Sequence, residues 1–170
     1  ELTHARSRGA RIYAELVGFG AACDPAGIDV TRPNVGSLDR AAKKAIDEAA
    51  IQPGDISLVV THGTGVPGED LCESRAWADV LAPRERVSGY ALTGAIGSLF
   101  AGAGGVELAA AVMALHTQTV PPTVNFKTAA DAGPLSFCRS PRRSELEYVI
   151  TGAFSVGGQS AACVLKRYRS

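Results

Sequence analysis

Residues 90–115 read YALTGAIGSLFAGAGGVELAAAVMAL, and the fold turns on how this stretch is understood. It reads as a strand end that passes through Thr93-Gly94 into a helix rich in glycine and alanine, with glycines at 94, 97, 102, 104 and 105. Each glycine costs about 1 kcal/mol against alanine inside a helix, so an exposed helix of this composition would not persist. Burial removes the difficulty. Small residues on every side admit backbones on both flanks, which suits a helix lying between two layers. Its N-terminus then points inward, where free N–H groups and the positive dipole end favour an anionic or carbonyl oxygen. The same composition also serves a tightly packed helix with no chemistry.

Outward from this helix, strands and helices alternate. Residues 10–20 read as a strand ended by Gly18 and Gly20, and 24–36 as a loop broken by Pro25, Gly27, Pro33 and Gly36. Ser37 caps a helix in which Leu38, Ala41, Ala42, Ala45, Ile46 and Ala49 recur at helical spacing. Residues 56–60 form a short buried strand, followed by THGTGVPGED and a second amphipathic helix over 70–81 that carries Trp77. Residues 87–92 are a third strand. Val120-Pro121-Pro122-Thr123 closes the glycine-rich helix, and 125–146 read as an irregular link. Residues 148–155 and 161–168 are β-rich and joined through Gly157-Gly158, which predicts a hairpin. The pattern predicts an α/β layer with a mixed sheet, since its last pair is antiparallel.

The chain has 170 residues, enough for one domain with a substantial core, and 17 basic residues balance 17 acidic ones. Zero net charge argues against nucleic acid or an anionic membrane as the main partner. The apolar run 99–115 is broken by Glu107 and glycines, so it is not read as a membrane span. The start, ELTHARSRGA, lacks the apolar region of a signal peptide; residues 1–8 are helical in flavour and begin as if in mid-element, as in a piece of something longer. Cys23, Cys72, Cys138 and Cys163 show no metal-binding spacing, and reduced, buried thiols in a cytoplasmic protein are expected.

His62 is the sharpest candidate for chemistry. It sits just past a buried strand among Gly63, Thr64, Gly65 and Pro67, where α/β folds place ligand contacts, and an imidazole there can donate to a carbonyl or take a proton. A structural histidine fits the same position. His4 and His116, in a terminal segment and at a helix end, read as structural.

The succession of HGT, Pro67, Asp70 and Glu73, then TGxxGSLFAGAGGVE, VPPTVN and FSVGG, resembles the C-terminal half of the β-ketoacyl synthases of the thiolase superfamily. The resemblance implies a thiolase-like fold over residues 1–170: the C-terminal half, with a mixed sheet, a buried glycine-rich helix layer and an outer helix layer. It implies no metal or other cofactor. Members condense acyl groups with malonyl units on acyl carrier protein, using a Cys in the N-terminal half and two His in the C-terminal half. His62 matches the first His. Ser98 stands at the second, Thr93 at the family's Lys, and Glu107 at the Glu on the buried helix. The glycine-rich gating loop falls on Ser155, Val156, Gly157 and Gly158, with Val156 at the gate and Phe154 at the preceding aromatic.

Serine supplies no imidazole and threonine no ammonium, so the condensing machinery is incomplete. The expected role is that of a chain length factor of a type II polyketide or fatty acid ketosynthase, a non-elongating subunit that shapes the acyl tunnel. Its expected partners are the missing N-terminal half, a catalytic ketosynthase subunit and acyl carrier protein. Chain length factors of the aromatic type commonly lack the HGT histidine as well, whereas His62 is kept. The alternative is a divergent synthase or acyltransferase in which a Cys of the missing half works with His62.

Overall fold

A computed structural model describes residues 1–24, 37–83, 86–128 and 133–169. After a short helix α1 (Leu2–Ser7), the chain runs β1 (Ala14–Cys23), α2 (Ser37–Glu48), β2 (Ile56–Thr61), α3 (Pro67–Leu81) and β3 (Val87–Ala91). It continues through α4 (Thr93–Ile96), a 3-10 turn at Phe100–Gly102, α5 (Ala103–Thr117), β4 (Thr119–Val120), β5 (Leu135–Phe137), β6 (Arg142–Arg143), β7 (Tyr148–Phe154) and β8 (Gln159–Arg167). Six strands form one sheet in the order β1-β8-β7-β2-β3-β5. The β7–β2, β2–β3 and β3–β5 pairs are parallel, while β1–β8 and β8–β7 are antiparallel. The mixed sheet and the terminal hairpin are therefore as expected.

Alternate residues of the strands feed two cores, because successive side chains leave a strand on opposite faces. On one face, Val59, Ile150 and Val164 meet Leu38, Ala42 and Ile46 of α2 and Trp77 and Val80 of α3. On the other, Leu58, Val60, Val149 and Leu165 meet Ala111, Ala114 and Leu115 of α5. The stack is α2 and α3, sheet, then α5.

Several expectations need correction. Gly18 and Gly20 do not end β1; they lie inside it, because α2 crosses so closely that a Cβ at either would collide with the carbonyl oxygen of Ala45 or Ala41. The glycine signal marked a close approach and not a stop. Ser37 is the first residue of α2, and its hydroxyl meets that of Ser160 at 2.8 Å across the core. The expected loop falls largely on residues 25–36, outside the described residues. The link over 125–146 holds two strands, β5 beside β3 and β6 beside β4, too short for any pattern to show.

The glycine-rich stretch departs most. It is a single turn of helix, a break, a 3-10 turn and then α5, and Gly97 at the break has φ 77°. Only one face of α5 is covered. Glu107, Ala111, Ala114 and Leu115 are buried, whereas Gly104, Gly105, Val106 and Met113 are exposed. Gln118, in the left-handed region, ends α5 before the prolines are reached, and its side-chain NH2 donates to the carbonyls of Leu115 and Leu146 at 2.7 and 3.0 Å. Residues 100–117 are apolar and long enough to cross a membrane by length and composition, yet their buried side packs on the sheet as a core helix does. The four cysteines form no disulfide among the described residues and are not buried: Cys23 is exposed and the other three are half-buried.

The crossing of α2 over β1 is testable. Gly20→Ala should destabilise the protein by about 1–3 kcal/mol, because the added methyl meets helix backbone that has no room to yield. Urea denaturation checks this, with Gly54→Ala, at a site open to solvent, as the neutral comparison.

Candidate functional site

The parallel strands β2 and β3 end side by side, and the turn after β2 carries the histidine singled out in the sequence. Two carboxylates from the first half of α3 fix that turn. Glu73 accepts the backbone N–H groups of His62 and Gly63, both at 2.8 Å, and the indole N–H of Trp77 at 3.1 Å. Asp70, one turn earlier on the same helix, accepts the Gly65 N–H at 3.1 Å. Asp70 also accepts the Thr64 hydroxyl at 3.5 Å, and since residues three apart share a helix face, one short segment of α3 holds four consecutive residues of the turn, 62–65. Burial pushes the Glu73 carboxyl up, opposed by its bonds to Gly63, Trp77 and His62. Burial likewise raises Asp70.

The imidazole is held from the other side of the sheet. His62 Nδ1 lies 2.8 Å from Oε1 of Glu107, which α5 delivers almost fully buried, at 2% exposure. This carboxylate, foremost as a hydrogen-bond partner, raises the histidine above its ordinary 6.5, with partial burial opposing the shift. Pairing through Nδ1 turns Nε2 the other way and fixes which nitrogen is free to act. Phe154 at the end of β7 packs edge-on against the ring, with centroids 5.0 Å apart. The second oxygen of Glu107, Oε2, is buried and has no hydrogen-bond partner among the described residues.

His62, Thr93, Ser98 and Glu107 line one open pocket, walled by Leu92 and Leu99. The four residues expected at the catalytic positions are thus brought together. Thr93 donates its hydroxyl to the His62 carbonyl at 2.8 Å and so fastens the histidine backbone. Ser98 is exposed between α4 and the 3-10 turn, and its oxygen accepts the Phe100 N–H at 3.4 Å. Of the expected gate, Phe154 reaches the imidazole, whereas Val156 projects from the β7–β8 turn, 77% exposed, and does not line the pocket. Gly157 and Gly158 make that turn with φ of 96° and 77°, and the Gly158 carbonyl accepts the Asp24 N–H at 2.8 Å. Among the described residues no three His, Cys, Asp or Glu side chains gather as a metal site would need. His116 meets Arg11 at 2.7 Å, away from the pocket lining, and His4 is exposed on α1.

Sequence reasoning placed Glu73 in a motif without a task. The legible signal was an acid four residues before the one tryptophan, a spacing that brings the two side chains together on a helix.

A parallel-strand end with an imidazole, a buried carboxylate and a helix behind it is in keeping with the thiolase-like α/β layer that the sequence motifs resemble. The family model of the β-ketoacyl synthase C-terminal domain matches residues 13–127, more than half of the chain, and the chain belongs to that family. It is 30% identical over 171 residues to 3-oxoacyl-[acyl-carrier-protein] synthase 2 of Synechocystis sp., covering 99% of this chain and 41% of the relative. Against the enzyme of the same description from Mycobacterium tuberculosis it is 34% identical over 166 residues, covering 97% of this chain and 40% of the relative. The solved structure of the ishigamide ketosynthase/chain length factor superposes with a TM-score of 0.91 at 28% identity, over 99% of this chain and 41% of that one. The chain thus spans about two fifths of the length of the relatives it matches.

The His62–Glu107 pair has a definite pH signature. A histidine raised by its partner contributes stability that is complete below the ordinary 6.5 and lost as pH climbs through the folded value. Nitrogen-edited NMR of the imidazole should place its midpoint above 6.5, and Glu107→Gln should move it down. A midpoint indifferent to that substitution would show that the carboxylate does not hold the proton.

Proposed function

We propose that this chain is the C-terminal half of a non-elongating, chain-length-factor-like subunit, working in a cytoplasmic ketosynthase heterodimer that handles acyl groups on acyl carrier protein. The observation that carries the reading is the pocket itself. His62, Thr93 and Ser98 share its lining, and the motif resemblance expects an ammonium at Thr93 and a second imidazole at Ser98. Decarboxylative condensation requires charge to be stabilised on two oxygens during carbon–carbon bond formation, and one histidine serves one of them. The likeness to the ishigamide ketosynthase/chain length factor supports a paired assembly with a catalytic ketosynthase subunit.

The half-fold reading rests on the uncovered side of α5. Phe100, just before α5, is 88% exposed, and Ile96 and Leu99 ahead of it and Val106 and Met113 on α5 are exposed too, apolar side chains of the kind that mark an interaction surface. In this reading the N-terminal half, in the same precursor or a separate chain, covers that surface, and Gly104 and Gly105 admit its backbone. Residues 1–170 expressed alone should then be molten, bind hydrophobic dyes and lack a cooperative melt. A sharp calorimetric transition of the isolated monomer would refute the half-fold.

A second reading keeps an activity, and the His62–Glu107 pair favours it. An oriented imidazole with one nitrogen toward a pocket is the base half of an acyl-transfer site, lacking only a thiol nucleophile. The two readings separate in the assembled complex. If the subunit is non-elongating, His62→Ala lowers stability by about 1–2 kcal/mol and leaves product length and malonyl decarboxylation unchanged. If it transfers acyl groups, the same change costs in addition roughly 100- to 1000-fold in turnover.

A further inference from the structure

The outer edge of the sheet at β1 is closed by its own helix in an unusual way. The Asp24 N–H bonds to the Gly158 carbonyl, and this sets the phase of the β1–β8 ladder: residues 18, 20 and 22 turn their backbone toward β8, and 19, 21 and 23 turn it outward. An outward row of N–H and C=O groups on a strand reading AELVGFGAAC, apolar and free of proline, invites another strand to add. Leu16 and Phe19 on it are also 59% and 52% exposed. Each of the three outward residues is instead met by a side chain of α2. The Phe19 N–H donates to Glu48 Oε2 at 2.6 Å, Lys44 Nζ donates to the Ala21 carbonyl at 3.1 Å, and Arg40 donates to the Cys23 carbonyl at 2.9 Å. The three partners stand four apart on α2, and their targets stand two apart on β1. About 6 Å of helix matches about 7 Å of strand, so a helical row and an extended row stay in step over three rungs. Gly18 and Gly20 bring the helix near enough for side chains to reach around the edge.

We propose that Arg40, Lys44 and Glu48 form a strap that occupies the free edge of β1 and bars it from pairing with a strand of another molecule, foremost β1 of a second copy. The donors and acceptor are matched to the backbone groups they meet: cations to carbonyls, a carboxylate to an amide. This inference is independent of the function proposed above. It makes α2 responsible for keeping the sheet finite at β1.

Amide hydrogen exchange and sedimentation of the full-length protein in its assembly test it. Glu48→Ala should speed exchange of the Phe19 amide about tenfold, the loss of one charge-assisted hydrogen bond, while Glu48→Gln, which keeps an acceptor, should restore protection. Asp47→Ala, on the same helix but not bonded to β1, should change nothing. The triple variant Arg40→Ala/Lys44→Ala/Glu48→Ala should associate with rising concentration where the parent does not. Unchanged Phe19 exchange in Glu48→Ala overturns the strap. Faster exchange in a triple variant that holds its mass at every concentration overturns the barrier role, and should the triple variant fail to fold, the paired Glu48 variants still decide whether the strap exists.

Discussion

The buried carboxylate of Glu73 is the constraint on which the site depends. A carboxylate taken from water is costly unless its lone pairs are met, and here two consecutive backbone amides and an indole meet them. That arrangement fixes the path of the chain as it leaves β2, and with it the direction in which His62 departs. Trp77, wholly buried, holds the carboxylate by its N–H while its ring fills the core between α2 and the sheet. One cluster therefore ties the hydrophobic core to the position of the imidazole. The HGTG sequence needs its glycines because the backbone there is left-handed at Gly63 and Gly65.

Much of the fold was legible because α2 has a strong helical period that its burial follows, and because β2 and β7 are short apolar runs buried almost throughout, as strands covered on both faces are. The misreadings have a common physical origin. Gly18 and Gly20 were read as strand stops, by local conformational cost, whereas their meaning, like that of the glycines of 94–105, lies in what approaches them. At Gly20 a helix backbone approaches from within the chain; at Gly104 and Gly105 nothing described does. A sequence reports that room has been made and is silent on who takes it. The short strands β5 and β6 escaped for a different reason, since two or three residues hold no period.

For the site, the sequence placed His62, Thr93, Ser98 and Glu107 through their order in a recognisable set of motifs, and the pocket gathers all four. It could not show that Thr93 turns its hydroxyl to the His62 carbonyl, or that Glu107 reaches Nδ1 of the same residue. Both contacts join residues 31 and 45 positions apart and depend on how β3 and α5 pack. Val156, placed by motif, stands away from the pocket because the turn that carries it is anchored to Asp24 and not to the site.

The break at Gly97 has a mechanical consequence. Residues 94–102 are exposed throughout and are tied down by few bonds, among them the Asn125 side chain on the Gly94 carbonyl. Such a segment opens at low free energy. At its root Thr93 is bonded to the His62 carbonyl, and its far end carries the exposed Leu99 and Phe100, so the apolar surface left open to a partner begins one hydrogen bond from the backbone of the imidazole.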